Sequence, residues 1–268
     1  MRAGALICVL AAALAAALAA PAAAGAPATK TPGQLLVGLS LAAPPFQAGS
    51  VRGREVVLAK GYEIDVARAL ARRLGLRRVR FVNEPSRERL AAAGRKVWDV
   101  ALARVALTKA RARAVGLSEP YLRGDQVVLL RRGLSVVRRL SALRPLELCA
   151  ERGSRAADVI AGRIRPRSRA LYFENVDALG RALQTGRCDA AVGDLASVGS
   201  LVRQNRSRFG PVAGRIETVV AYAVVLEKGS PLLAEVDRSL RRLAADGTLG
   251  RLAKAWLGLN PSRLPLLR

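Results

Sequence analysis

Side chains able to do chemistry are sparse in this sequence, and their types restrict it. The 268 residues contain no histidine. That removes imidazole acid–base catalysis, Ser-His-Asp triads and His-ligated zinc. Glu63, Glu119, Glu151 and Asp194 are carboxylates that could serve as an acid or a base, but their spacing specifies no catalytic pair. Cys149 and Cys188 lack the CxxC spacing of a redox or metal site, and no phosphate-binding glycine loop occurs. The inventory points to binding without catalysis. No catalytic residue, metal or cofactor is expected.

Arginine is the abundant functional group. Of 45 basic residues only six are lysine, and 20 acids leave a net charge of +25. The arginines are spread along the chain among Ala, Gly and Leu, as a GC-rich coding bias would place them. They read as a solvated basic surface, with no nucleic-acid partner; a patch for a polyanion, a membrane surface or an acidic partner competes with that reading.

Those groups need a frame. The length allows one large domain or two ordinary ones, and 51% hydrophobic residues can fill a core. Met1 and Arg2 followed by the Ala/Leu-rich run to Ala20 read as a signal peptide over residues 1–24, with Ala-x-Ala cleavage after Ala24. The run is too weakly apolar for a membrane span, and none is expected in the mature chain. Outside the cytoplasm, Cys149 and Cys188 permit one disulfide, while two buried thiols remain the alternative.

From Gln34 the pattern alternates. Strands are predicted at Gln34–Ser40, Val79–Val82 and Trp98–Leu102. Helices are predicted at Tyr62–Leu76 and, capped by Ser86, at Ser86–Ala93. The pattern restarts with strands at Leu146–Ala150, Ala170–Phe173 and Asp189–Val192, a helix opening at Gly153-Ser154 and another at Val176–Gln184. Extended runs at Gln126–Leu130 and Val219–Leu226 read as crossovers between two α/β lobes, with a ligand cleft at the strand carboxyl ends.

Six stretches then support a resemblance: LLVGLSLAAPPF (35–46), GYEIDVARALARRLGL (61–76), WDVALARVALTKARARAVGLSEPYL (98–122), GSRAADVI (153–160), GRCDAAVGD (186–194) and DGTLGRLAKAWLG (246–258). In this order they resemble the bacterial extracellular solute-binding proteins of family 3, the amino-acid-binding components of ABC importers. The resemblance implies the two-lobed periplasmic-binding-protein fold (type II), each lobe a mostly parallel sheet flanked by helices, hinged on two crossover strands. It divides the chain into lobe 1 (25–123 and 223–268) and lobe 2 (124–222). It also assigns Arg111, the Arg of a Thr-x-x-Arg element, to the ligand carboxylate, where a guanidinium forms paired charge-assisted bonds. Asp194 falls on the acid that receives the ammonium, and Gly153 and Ser154 on the helix start that adds backbone N–H groups. Ser118, Pro120 and Tyr121 match a Ser-x-Pro-Tyr element.

The chain departs from the family at several site positions. Ala43 and Ser86 stand where aromatic or large apolar residues clamp the ligand. Arg104 and Ala106 stand in a strand that offers small and hydroxyl residues, and Arg155 replaces a hydroxyl after Ser154. If Arg104, Arg111 and Arg155 all face the cleft beside Asp194, the site carries +2 and favours an acidic solute; if Arg104 and Arg155 face solvent, that preference lapses. The function implied is periplasmic capture of a small carboxylate-bearing solute (an amino acid, an acidic one among the candidates, or an organic acid) for an ABC permease. The protein is expected to act as a monomer. The alternative is a partner module of the same fold docking another periplasmic protein, such as a quinoprotein dehydrogenase.

Overall fold

The computed structural model describes residues 27–41 and 44–268. The signal-peptide reading therefore lies outside the described residues. The first stretch runs β1 (Gln34–Leu39), β2 (Ala48–Arg52), β3 (Glu55–Lys60), α1 (Tyr62–Arg73), β4 (Arg78–Asn83), α2 (Arg87–Leu90), β5 (Val100–Ala106), α3 (Lys109–Ala114) and β6 (Gly116–Arg123). The second runs β7 (Gln126–Arg131), β8 (Leu148–Glu151), α4 (Arg155–Val159), β9 (Leu171–Phe173), α5 (Val176–Gln184), β10 (Ala190–Asp194), α6 (Leu195–Asn205) and β11 (Phe209–Ile216). The last runs β12 (Ala221–Leu226), α7 (Leu233–Ala245) and α8 (Thr248–Leu257).

Two sheets result. One has seven strands in the order β2-β3-β4-β1-β5-β12-β6, the other five in the order β11-β7-β10-β8-β9. Strands joined through helices are parallel: β1 with β4 and β5, β8 with β9 and β10. The crossover strands and the β2–β3 hairpin are antiparallel, so both sheets are mixed where mostly parallel ones were expected. The sequence reading missed the hairpin, whose Gly53 takes φ 59° at the turn.

Periodicity explains α1. Ile64, Ala67, Leu70 and Ala71 face the first sheet and are fully buried, each large one contributing about 1.5–3 kcal/mol. Glu63 and Asp65 occupy the positive first turn. The helix stops at Arg73, and Gly75 turns the chain at φ 72°. Ser86 caps α2 by accepting from the Arg89 N–H at 3.2 Å, but the helix ends at Leu90, short of the predicted Ala93. The β5 strand starts at Val100, not Trp98. Trp98 is instead a buried side chain, and Asp99 accepts from the Leu36 N–H at 2.8 Å and the Lys30 N–H at 2.6 Å.

The chain crosses between the sheets at β6–β7 and at β11–β12. It returns to the first sheet at Ala221, inside the segment assigned to lobe 2 from sequence. It then crosses a third time. Leu267 donates to the Arg215 carbonyl (2.9 Å), Arg215 to the Pro265 carbonyl (2.8 Å) and Leu140 to the Arg268 carbonyl (2.9 Å), with Leu267 buried in the core of the second sheet. The expectation that residues 223–268 all return to lobe 1 is thus corrected for the last four. Near this crossing α6 meets α8: a Cβ on Gly199 would collide with the Leu257 carbonyl, so only glycine allows the approach. The cysteine pairing left open by the sequence is a disulfide. Cys149 on β8 is bonded to Cys188 ahead of β10, with Cα atoms 6.0 Å apart and both residues fully buried.

Candidate functional site

A cavity of about 110 Å³ opens between the two sheets. Phe46, Arg104 and Tyr222 line it from the first. Glu151, Ser154, Arg155 and Asp194 line it from the second, and Arg123 to Gln126 form its hinge wall. The residues of the second sheet arrive by one rule: Glu151 ends β8, Asp194 ends β10, and both sit at strand carboxyl ends.

Arg104 is held unusually. It lies within β5 yet takes φ 49°, a left-handed conformation that costs a residue with a Cβ about 1 kcal/mol. Its N–H donates to Glu63 Oε1 at 2.7 Å and to the Tyr121 hydroxyl at 3.2 Å. Its guanidinium then lies 4.7 Å from the centroid of the Phe46 ring, at the cavity. Behind it Glu63 is completely buried. Gln47 Nε2 donates to Glu63 Oε2 and to the Leu102 carbonyl, each at 2.6 Å, and the Tyr121 hydroxyl donates to Glu63 Oε1. Burial pushes the Glu63 carboxyl above its ordinary value, and the three hydrogen bonds oppose that shift. The Tyr121 hydroxyl is pushed up by burial and by the Glu63 charge.

Across the cavity, Asp194 both lines the site and caps α6, its Oδ1 accepting from the Ser197 N–H at 2.7 Å. Glu151 is near enough to Asp194 that its carboxyl is raised, by burial first and by the Asp194 charge second, with Ser197 opposing. The Tyr222 hydroxyl is raised chiefly by burial; Arg104 lowers it, Asp194 raises it, and Arg155 and Arg87 lower it further. Ser154 caps α4, accepting from the Ala157 N–H at 3.4 Å, and its hydroxyl donates to the Glu151 carbonyl at 2.7 Å.

The structure thus brings Arg104, Ser154, Arg155 and Asp194 to one cavity. Of the others predicted from sequence, Arg111, Ala106, Gly153 and Ser86 do not line it. Arg111 is half-buried on α3, its Nη1 donating to the Ala106 carbonyl at 3.0 Å; neither lines the cavity. Gly153 is the turn before α4, at φ 66°, and Ser86 is the α2 cap. Ala43 lies outside the described residues. Both Arg104 and Arg155 face the cleft, yet the +2 balance is corrected. Three arginines, Arg104, Arg123 and Arg155, are matched by Asp125, Glu151 and Asp194. Asp125 is spent on Arg215 (2.5 Å), Arg123 (3.6 Å) and the Thr218 N–H (3.1 Å). Sequence reasoning missed Glu151 as a lining residue, although the strand-end rule that exposes Asp194 exposes it equally. It also missed Tyr222, hidden in an apolar run, and Phe46 as a platform for Arg104.

Known proteins agree with this architecture. The glutamine-binding protein GlnH of an ABC transporter from Bacillus subtilis is 24% identical over 206 residues, 76% of this chain and 74% of that protein. The L-cystine-binding protein TcyJ of Escherichia coli is 26% identical over 238 residues, 87% and 86% respectively. Among solved structures, the unliganded open L-cystine solute receptor of Neisseria gonorrhoeae has a TM-score of 0.68 at 20% identity, covering 85% of this chain and 94% of that one. The second substrate-binding domain of Lactococcus lactis GlnP, also open, has a TM-score of 0.68 at 17% identity, covering 87% and 99%. An ancestral cyclohexadienyl dehydratase has a TM-score of 0.64 at 20% identity, covering 85% and 93%, so the fold is also found in an enzyme. No helix among the described residues is long and apolar enough to cross a membrane. The family model for bacterial extracellular solute-binding proteins, family 3, matches residues 35–259, nearly the whole described chain, and this protein belongs to that family.

Proposed function

We propose that this protein is an extracytoplasmic receptor that captures a free amino acid between its two sheets and presents it to an ABC permease. One observation carries the reading. Two guanidinium groups that form no ion pair among the described residues, Arg104 and Arg155, and two carboxylates, Glu151 and Asp194, meet in one cavity. A zwitterion answers both signs. Its carboxylate takes paired bonds from a guanidinium, and its ammonium sits between Glu151 and Asp194. A dicarboxylate would leave its second charge against the Glu151–Asp194 pair, so the balanced wall supports an amino acid over an organic diacid.

Arg111 enters as a second-rank anchor. Its Nη1 is held by the carbonyl of Ala106, the last residue of the strand that carries Arg104, and swinging that guanidinium away from the carbonyl would offer it to the ligand carboxylate. Closure shifts an open–closed equilibrium about the crossovers, and the closed form is what a permease reads. Binding alone is required, with no bond made or broken.

The test is a thermal-shift screen of the mature protein at low salt against all amino acids and small dicarboxylates. Ligand at 100 times Kd stabilises by about 2.7 kcal/mol, a visible shift. A neutral or zwitterionic hit lost in Arg104→Ala and in Asp194→Ala is expected. A hit confined to dicarboxylates would overturn the balanced-wall argument, and no hit would overturn the receptor reading in favour of a protein partner.

A further inference from the structure

A second cavity, of about 380 Å³, lies away from the cleft, where α6 and β11 face the end of α8 and the C-terminal tail. Its walls are apolar: Val202, Phe209 and Val212 from the second sheet's side, Leu259 and Leu264 from the tail. Its charged groups are Arg206, Lys254 and Arg263, and it has no carboxylate. Four other cavities among the described residues, the cleft included, each carry at least one acid. That contrast separates it from the general arginine excess. None of the three cations is in an ion pair among the described residues, and all three are exposed.

From this we infer that the cavity is a binding site for a small anionic amphiphile, a medium-chain carboxylate or its phosphate or sulfonate equivalent. The apolar walls take the chain, and the three cations take the headgroup. Both parts are needed. An apolar occupant alone would leave the three cations at the cavity rim without a counter-charge, and a bare anion would leave the walls wet. Charge also decides against two other occupants. The N-terminal residues 1–26 carry Arg2 and no acid, so that segment brings no counter-charge. A second copy of a chain at +25 is repelled. The site is independent of the amino-acid reading, because it shares no residue with the cleft.

The experiment is titration calorimetry of the full mature protein with octanoate, octanol and acetate at low salt. Single-site saturable octanoate binding is expected, with octanol and acetate at least tenfold weaker. Because octanoate could reach the cleft through Arg104, the Arg104→Ala variant is titrated as well and should bind octanoate as the wild type does. Combining the exposed substitutions Arg206→Glu and Arg263→Glu should weaken octanoate at least tenfold, with the Tm unchanged in the absence of ligand. Equal binding of octanol would remove the role of the cations, and equal binding of acetate would leave an adventitious ion only. Loss of binding in Arg104→Ala would place octanoate in the cleft. Unchanged binding in the charge-reversed variant, or no saturation, would overturn the site.

Discussion

The backbone N–H of Arg104 donates to the carboxylate of Glu63, 41 residues earlier in the chain, at 2.7 Å. The bond ties the first turn of α1 to the middle of β5. It fixes the left-handed backbone that places the Arg104 guanidinium over Phe46. A buried acid outside the cavity thereby sets the direction of a cation inside it.

Glu63→Ala should cost about 3 kcal/mol, because it strips the buried Tyr121 hydroxyl of its acceptor and leaves the Arg104 N–H and the Gln47 amide with only their second partners, the Tyr121 hydroxyl and the Leu102 carbonyl. The pH dependence has a defined sign. Burial raises the folded Glu63 carboxyl above its ordinary 4.5, so the folded chain holds the proton longer than the unfolded one. The stability due to Glu63 is complete below the unfolded value and is lost as pH rises through the folded one. Urea unfolding of wild type and Glu63→Gln from about pH 4 to about pH 8 should show the wild type's relative stability falling with pH. A relative stability that rose with pH would show a carboxylate held ionised.

Arg104→Gly removes the left-handed strain and the contact with Phe46 together, two effects of about 1 kcal/mol and opposite sign. Its Tm should stay near the wild-type value, while the Kd for the amino acid found in the screen rises at least tenfold. A fall in Tm with unchanged Kd would make Arg104 a structural residue only.

Asp194 combines two roles that substitution can separate. Asparagine caps helices as well as aspartate but carries no charge. Asp194→Asn should therefore keep stability within about 0.5 kcal/mol and still weaken amino-acid binding at least tenfold. Asp194→Ala should lose both binding and about 1 kcal/mol of stability. Calorimetry and urea unfolding on the pair read the two roles independently.

Reducing the Cys149–Cys188 bond releases a loop whose ends are 39 residues apart in sequence. Chain-entropy reasoning puts the loss at about 4 kcal/mol. Because both residues are fully buried, the bond should resist dithiothreitol until the protein begins to unfold. Urea midpoints with and without reductant give the magnitude.

Local pattern made much of this legible. The helix Val176–Gln184 was predicted to the residue, and α1 was short by only its last turn, because apolar period and caps agree there. What escaped the sequence depends on contacts far apart in the chain. The lining role of Glu151 depends on β8 lying beside β10, and the direction of Arg104 depends on Glu63. The charge of the cleft met the same limit: its arginines stand out because they depart from a family pattern, whereas their balancing acids depart from nothing. Arg111 stands outside the cavity for a comparable reason. Its donors are partly used by the Ala106 carbonyl, a partner that no motif displays.

The tail that crosses back to the second sheet changes what kind of hinge this is. Two strands alone could bend freely, but a rotation of the sheets here must also strain the short turn at Pro261–Arg263 or unzip the backbone bonds that Arg215 shares with Pro265 and Leu267. Opening of the cleft is then coupled to the fraying of a chain end. The amide of Leu267, sealed in the core, should exchange with solvent deuterium faster whenever the cleft gapes and more slowly once a solute holds it shut.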